Sequence, residues 1–371
     1  MPGVEFAQGL RGIERLQREW GMLYDALPTR SHAQSHGWVM QQLRCLEADP
    51  EAVHVAMVRD AGETVAIVPL RYAPHRKGPF QVASWNLLWD PHVTLPPVLL
   101  APGEDWARVI EAIMADLSRV GRPCDQIVLP GVLDEDSWRG VWAKGGLPTL
   151  VSPGRQSLRF NTTSADSALA SISPHFRKNL ARQRRKLASL GAVDLELAIG
   201  PEDAANAFEA FLEIEASGWK GAAGTGSAIR LDPNLVRFYS GLIGAVHPRQ
   251  QVWIATLSLD GRPVASNFCI RTDDTLAVLK IGYDESLRQA APGNVLLAML
   301  LEACAADPEI AWVSLVTGPA WAEQWRPQEV PVLNLTAFAP TLRGRAFHAL
   351  ARARRALGCL RRKSITNLAQ Q

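Results

Sequence analysis

The feature that most constrains this chain is a pattern that occurs twice. Residues 54–72 read HVAMVRDAGETVAIVPLRY and residues 253–271 read WIATLSLDGRPVASNFCIR. Each is an alternating apolar run, a short turn with a glycine (Gly62, Gly261) and a second β-rich run, which is the signature of a hairpin. Val65-Ala66 falls opposite Val264-Ala265. The flanks match as well. A β-rich segment leads to Asp90 in one copy and Asp284 in the other, then to Pro97 and Pro292, a helix (about 104–120 and 293–306), a short strand (124–130 and 311–317) and a Trp (Trp138, Trp325). Two helical stretches precede each hairpin, about 11–26 and 35–48 in the first copy, 202–217 and 233–246 in the second. A strand meander followed by a β-α-β unit predicts an α/β fold, with a mixed twisted sheet flanked by helices in each half. The 371 residues are too many for one ordinary domain. The small polar stretch near 150–175 sets the expected domains at 1–155 and 156–340, followed by a C-terminal segment at 341–371.

Composition removes several classes of function. Hydrophobic residues make up 47% and charged residues 20%, a globular balance. A net charge of +2 points to no particular partner. The five cysteines are scattered without a C-x-x-C, so neither a zinc site nor a disulfide framework is expected. The His residues are dispersed without ligand spacing, and no metal is expected. There is no G-x-S-x-G, and Cys269 has no His nearby in sequence, so a covalent acyl-enzyme is not the first expectation. The N-terminus lacks an apolar signal-peptide core, and no apolar run is long enough to span a bilayer, which predicts a cytoplasmic protein.

Three segments carry a resemblance. They are the basic helix FRKNLARQRRKLASLG at 176–191, the helix and Gly-rich loop FLEIEASGWKGAAGTG at 211–226, and GYDESLRQAAPGNVLLAMLLEA at 282–303. In this order they resemble the GNAT acyltransferases of the CelD/BcsL-like family (cellulose-biosynthesis-type, BioF2-like acetyltransferases), and they cover most of 176–330. The resemblance implies two tandem GNAT-like domains, similar to the arrangement of the Fem-type aminoacyltransferases, with the catalytic one second. It also implies acetyl-CoA or a longer acyl-CoA as co-substrate. Two departures stand out. TGPAWAEQW at 317–325 lacks the Lys that family members carry there, and Glu215 stands where many members have His.

The residues themselves suggest roles. Binding a pyrophosphate calls for backbone N–H groups at a helix start. Arg288, Gln289, Pro292, Gly293 and Asn294 sit between a strand and a helix, with Gly293 permitting close approach and Pro292 suiting the first turn. Acyl transfer to an amine calls for a base, and Glu215 is the candidate; Tyr283 could protonate the leaving thiolate. Trp219 and Lys220 open a Gly-rich loop that reads as a lid over the acceptor or as a plain connection. Asn267, among apolar neighbours on a strand, reads as a substrate ligand or as a strand-edge Asn.

Two basic clusters bear on partners. Arg177, Lys178, Arg182, Arg184, Arg185 and Lys186 suit phosphates, anionic lipid heads or an acidic glycan. Residues 341–363 hold eight basic residues and no acid, with Phe347, Leu350, Leu357 and Leu360 grouped on one face. Such a helix either lies on an anionic membrane, at the inner face of the cytoplasmic membrane, or packs on the protein by the same stripe. Without a recognised module or interleaved aromatics, no nucleic-acid partner is expected. The reading is an acyl-CoA-dependent N-acyltransferase (or O-acyltransferase) with an envelope-related acceptor. That acceptor is a saccharide or exopolysaccharide precursor, or an amphiphilic amine such as a sphingoid base. The alternative is a non-catalytic GNAT-like binding subunit of an exopolysaccharide assembly.

Overall fold

A computed structural model describes the chain except Met1, Thr94, 134–146, 164–168, Ala170 and 369–371; of Ser118, Leu133 and 357–368 it describes the backbone alone. The chain folds as two compact units. Unit 1 holds 1–28, 51–155 and 331–371, and unit 2 holds 29–50 and 156–330.

In unit 1 the main sheet uses β1 (Gly3–Gln8), β2 (Val53–Asp60), β3 (Glu63–Tyr72), β6 (Ser84–Leu87), β8 (Gln126–Leu133), β9 (Thr149–Pro153) and β17 (Val332–Phe338). The short β7 (Leu99–Leu100) pairs with β3, and β4 (His75–Lys77) with β5 (Phe80–Val82) forms a separate ribbon. The order is β1-β2-β3-β6-β8-β17-β9, antiparallel throughout except that β6 and β8 are parallel. The helix Trp106–Asp116 crosses between those two strands.

In unit 2 the sheet uses β10 (Ser157–Asn161), β11 (Val193–Ile199), β12 (Gln250–Leu259), β13 (Arg262–Thr272), β14 (Thr275–Tyr283), β15 (Trp312–Ser314) and β16 (Gln328–Val330). Its order is β11-β12-β13-β14-β15-β10-β16, with β14 and β15 parallel and the helix Pro292–Ala306 crossing between them. The two sheets therefore correspond strand for strand. Even the hairpin turns agree. Ala61-Gly62 (φ 50° and 90°) and Asp260-Gly261 (φ 49° and 75°) are both left-handed pairs, as a two-residue hairpin turn of type I′ demands. Val58 pairs with Ala66 and Leu257 with Ala265, each next to a register shift. Trp138, expected to close the first repeat, lies outside the described residues.

The contiguous domain boundaries expected from the sequence are corrected in two places. Residues 331–340 belong with unit 1, because β17 fills the place between β8 and β9. The helix His36–Cys45 belongs with unit 2. Its buried Trp38 meets the Phe238 ring edge-on at 5.2 Å, and Gly37 lies against the Ala245 carbonyl so closely that an added Cβ would come to 1.9 Å. The apolar face of that helix finds its partner on Pro233–Ala245.

Alternation along β13 divides the core of unit 2. Phe268 packs with Phe208, Phe211 and Tyr239 of the helices Pro201–Ser217 and Pro233–Ala245. Cys269, pointing to the opposite face, joins Leu296, Leu300 and Leu301 of Pro292–Ala306 and Leu180 and Leu187 of the basic helix Pro174–Ala188. That basic helix starts as its sequence indicates, with Ser173 Oγ accepting the Phe176 N–H at 3.1 Å and Pro174 in its first turn.

The C-terminal helix runs from Leu342 to Leu368. Phe347 is buried against Val82 and Phe338, and Arg343 pairs with the buried Asp125 at 2.8 Å. Phe347 of the apolar stripe thus packs within unit 1, while Leu350 is exposed. Leu357 and Leu360 are among the residues whose side chains are not described. No helix among the described residues is long and apolar enough to cross a membrane.

Candidate active site

The site forms where two strands part. β14 pairs with β15 only at Thr275, Leu276 and Ala277. Beyond Ala277 its edge is free, and the register with β13 shifts between Cys269–Val278 and Phe268–Lys280, leaving Leu279 as an extra residue. A bulge of this kind bends a strand and increases its twist. On the other side, the chain leaving β15 turns sharply at Val316 (φ 61°), where the Thr317 N–H reaches the Leu315 carbonyl at 2.5 Å. A β-branched residue with positive φ is strained, and here the turn carries the chain away from β14.

The wedge holds a cavity of about 360 Å³. Asn267, Val278, Ile281 and Gly282 of β13 and β14 line it, as do Leu297, Leu315, Trp219, Trp321 and Gln324. Its remaining boundary is the turn after β14, with Tyr283, Arg288, Ala291, Gly293 and Asn294. That turn is built locally. Asp284 Oδ1 accepts the Ser286 N–H at 2.9 Å and starts the 3-10 segment Glu285–Ala290. Ala291 is left-handed (φ 48°) and redirects the chain into Pro292–Ala306. At Gly293 an added Cβ would only touch the Tyr283 ring at 3.4 Å, so one face of this helix start is open. Arg288 is exposed and forms no ion pair among the described residues. The basic helix abuts the same turn: Lys186 Nζ donates to Gln289 Oε1 at 3.0 Å, and Asn294 Nδ2 to Gln183 Oε1 at 3.3 Å.

Of the residues singled out from the sequence, Trp219, Asn267, Tyr283, Arg288, Gly293 and Asn294 come together around this cavity. Gln289 and Pro292 belong to the turn without lining it. Glu215 and Lys220 do not line it, and the geometry corrects the reading of Glu215 as the base. Its side chain is 1% exposed, with Oε1 held by Lys220 Nζ at 2.9 Å and Oε2 by the Ile229 N–H at 2.7 Å. Lys220 also donates to the Ile281 carbonyl at 2.7 Å. The pair ties the Gly-rich loop to β14. Gly282 permits this, since a Cβ there would lie 2.6 Å from Glu215 Cα.

The Gly-rich loop is itself folded. The Thr225 N–H bonds the Trp219 carbonyl at 2.8 Å and the Ala228 N–H bonds the Lys220 carbonyl at 2.9 Å. It holds Trp219, half exposed, at the cavity wall. Sequence reasoning missed Trp321 and Gln324. Their signal was the polar-aromatic segment WAEQW, where Trp325 instead is buried against Phe160 and Phe176. Burial pushes the Cys269 thiol well above its usual range, so it keeps its proton and is no nucleophile. No carboxylate lines the cavity, and no cluster of metal-binding side chains occurs among the described residues.

Residues 174–326, which hold the wedge, the turn and the Gly-rich loop, match the family described as an acetyltransferase (GNAT) domain. By this match the stretch resembles a GNAT acetyltransferase domain. A domain of that kind is an acyltransferase, and its fold implies an acyl-CoA co-substrate. Likeness in fold extends beyond it. FemX is 10% identical, with a TM-score of 0.55 over 90% of this chain and 98% of that one. L-PGS from Bacillus licheniformis is 10% identical, with a TM-score of 0.52 over 90% and 95%. A conserved protein of unknown function from Bacteroides thetaiotaomicron is 12% identical, with a TM-score of 0.55 over 91% and 100%. At such identities the likeness is one of fold, and it spans both units, as expected for tandem GNAT-like halves. A search of curated proteins found no match.

Proposed function

We propose that the GNAT domain of unit 2 transfers an acyl group from acyl-CoA to an amine or hydroxyl of an envelope-related acceptor. The observation that carries this reading is the wedge between β14 and β15, which ends on an open helix start flanked by the unpaired Arg288. The start of a helix favours anions; here Pro292 has no N–H and the Asn294 and Val295 N–H groups bond the Ala291 carbonyl at 3.0 and 3.2 Å, which leaves the Gly293 N–H for an anion. Gly293 leaves room for a pyrophosphate to approach the backbone, Arg288 adds charge, and Lys186 stands beside the turn at Gln289. The residues present thus fit the phosphates of CoA, and the apolar wall of Val278, Ile281, Leu297 and Leu315 fits the pantetheine arm and acyl group.

Bound acyl-CoA supplies an activated thioester. The acceptor nitrogen or oxygen adds to its carbonyl carbon, the C–S bond breaks, and the sulfur takes a proton. Tyr283 is the one lining side chain with a proton to give to that sulfur. The proton lost by the acceptor passes to solvent and restores the phenol. With Glu215 engaged, the acceptor enters this scheme already neutral. The two acceptor classes read from the sequence, a saccharide precursor of the kind suggested by the CelD/BcsL-like resemblance and an amphiphilic amine, both offer such a group.

The test is binding of acyl-CoA followed by turnover on a panel of envelope amines and sugars, read by mass spectrometry. Gly293→Val should weaken CoA binding at least about tenfold without unfolding the protein. Equal affinity in the folded variant moves the phosphate site elsewhere, and no acyl transfer with any acceptor favours the non-catalytic binding subunit.

A further inference from the structure

Asn267 lies in the middle strand pairing of the GNAT domain, opposite Ala255 on β12 and Ile281 on β14. Residues directly opposite in an antiparallel ladder share a face. Asn267 therefore points with Ile281 into the wedge. Its neighbours on that face, Ala265 and Cys269, belong to the apolar core. The residue is 4% exposed and lines the cavity, and its side-chain amide, open to that cavity, makes no hydrogen bond among the described residues. The adjacent polar side chain of the same strand differs. Ser266, facing the other way, meets Thr256 Oγ1 at 3.2 Å.

An amide on the wall of a cavity, with no protein partner, is left to water until a ligand enters. Among Val278, Ile281, Leu297 and Leu315 nothing in the protein completes it. A ligand that fills this cavity displaces that water, and must then bond the amide or leave it buried and unpaired.

We infer that the Asn267 amide is a substrate-binding group of this acyltransferase, bonded to an oxygen or nitrogen at the reacting end of the bound substrates. The inference rests on the acyl-CoA reading above and adds a specificity residue to it. Two groups could meet the amide. One is the thioester carbonyl, toward which the Nδ2–H would donate as the carbonyl oxygen gains negative charge during addition. The other is a hydroxyl or amine of the acceptor. The position also fixes what the site rejects: a wholly apolar group pressed on Asn267 would leave the amide unpaired in the complex, a strong basis for discrimination.

The experiment compares wild type with Asn267→Leu and Asn267→Ala in melting temperature, acyl-CoA affinity and steady-state turnover. Without ligand, Asn267→Leu melts no lower than wild type, because the amide holds no other part of the protein. Turnover falls at least about tenfold. If the partner is the thioester carbonyl, the loss appears in kcat at saturation with both substrates; if it is the acceptor, the loss appears mainly in the acceptor KM. A lower melting temperature in both variants, or failure of both to fold, makes Asn267 a structural residue and overturns the inference. So does unchanged turnover and KM in a folded variant. Should wild type itself bind no acyl-CoA, the broader reading of function fails instead, and the two failures stay distinct.

Discussion

Replacing Glu215 separates two jobs that a helix-end carboxylate can have. As a general base it would matter to turnover and little to folding; as the buried half of an ion pair it would do the reverse. Its side chain is 1% exposed and that of Lys220 13%. Both are deep enough that solvent screens the pair little, and breaking such a pair from one side costs about 3–5 kcal/mol. Lys220→Met leaves a carboxylate with only the Ile229 N–H at 2.7 Å, so the upper part of that range applies. Glu215→Gln keeps only one of the two hydrogen bonds, because its amide nitrogen cannot accept from Lys220 or from the Ile229 N–H, and should cost about 3 kcal/mol. For a unit of this size that lowers the melting temperature by about 6–12 °C. Replacing both partners by apolar residues removes the uncompensated charge, and the double variant should lose less than the sum of the singles. The assay is a double-mutant cycle by urea denaturation, with turnover measured below the melting range. There Glu215→Gln should stay within about threefold of wild type, since a base would contribute about 10²–10⁴-fold. If it melts like wild type while turnover falls a hundredfold, the clamp argument is refuted and Glu215 is the base after all.

Two further predictions concern stability. His32 is fully buried, and burial alone pushes its pKa down to about 3 from 6.5. The folded protein thus refuses a proton that the unfolded chain accepts below pH 6.5, so the contribution is intact above 6.5 and lost as pH falls from 6.5 toward 3. Wild type should lose about 1.4 kcal/mol per pH unit relative to His32→Leu across that window; a difference that stays flat in urea titrations at pH 7 and pH 5 contradicts it. In unit 1, a chain ending at Pro340 loses the buried Phe347 and the Arg343 partner of Asp125. Loss of the aromatic contact alone should cost about 3 kcal/mol, a drop readable in the melting curve. Equal melting would show that the C-terminal helix is free to lie elsewhere, and sedimentation with anionic vesicles would then test the membrane as its partner.

The duplication was legible in the residues because a hairpin imposes local rules. Alternation, the left-handed pairs Ala61-Gly62 and Asp260-Gly261, and the proline-led helices are set within a few residues of one another. The geometry of the turn after β14 was legible for the same reason: Pro292-Gly293 after a strand says how the backbone must run. What only the tertiary structure decided is what each element packs against. Trp38 on the helix His36–Cys45 carries an apolar face that fits either unit by pattern; the close approach of Gly37 to Ala245 assigns it to unit 2. β17 reads as a strand, but its place between β8 and β9 depends on residues some 200 positions away. Glu215 looks like a base as a helix-end acid, and becomes a clamp because Lys220 and the Ile229 N–H converge on it after the loop folds back. Asn267 is an oddity among apolar residues until the parting of β14 from β15 opens a cavity over it. Short-range geometry is written in neighbouring residue types; burial and pairing are properties of contacts that the chain makes only once it has closed.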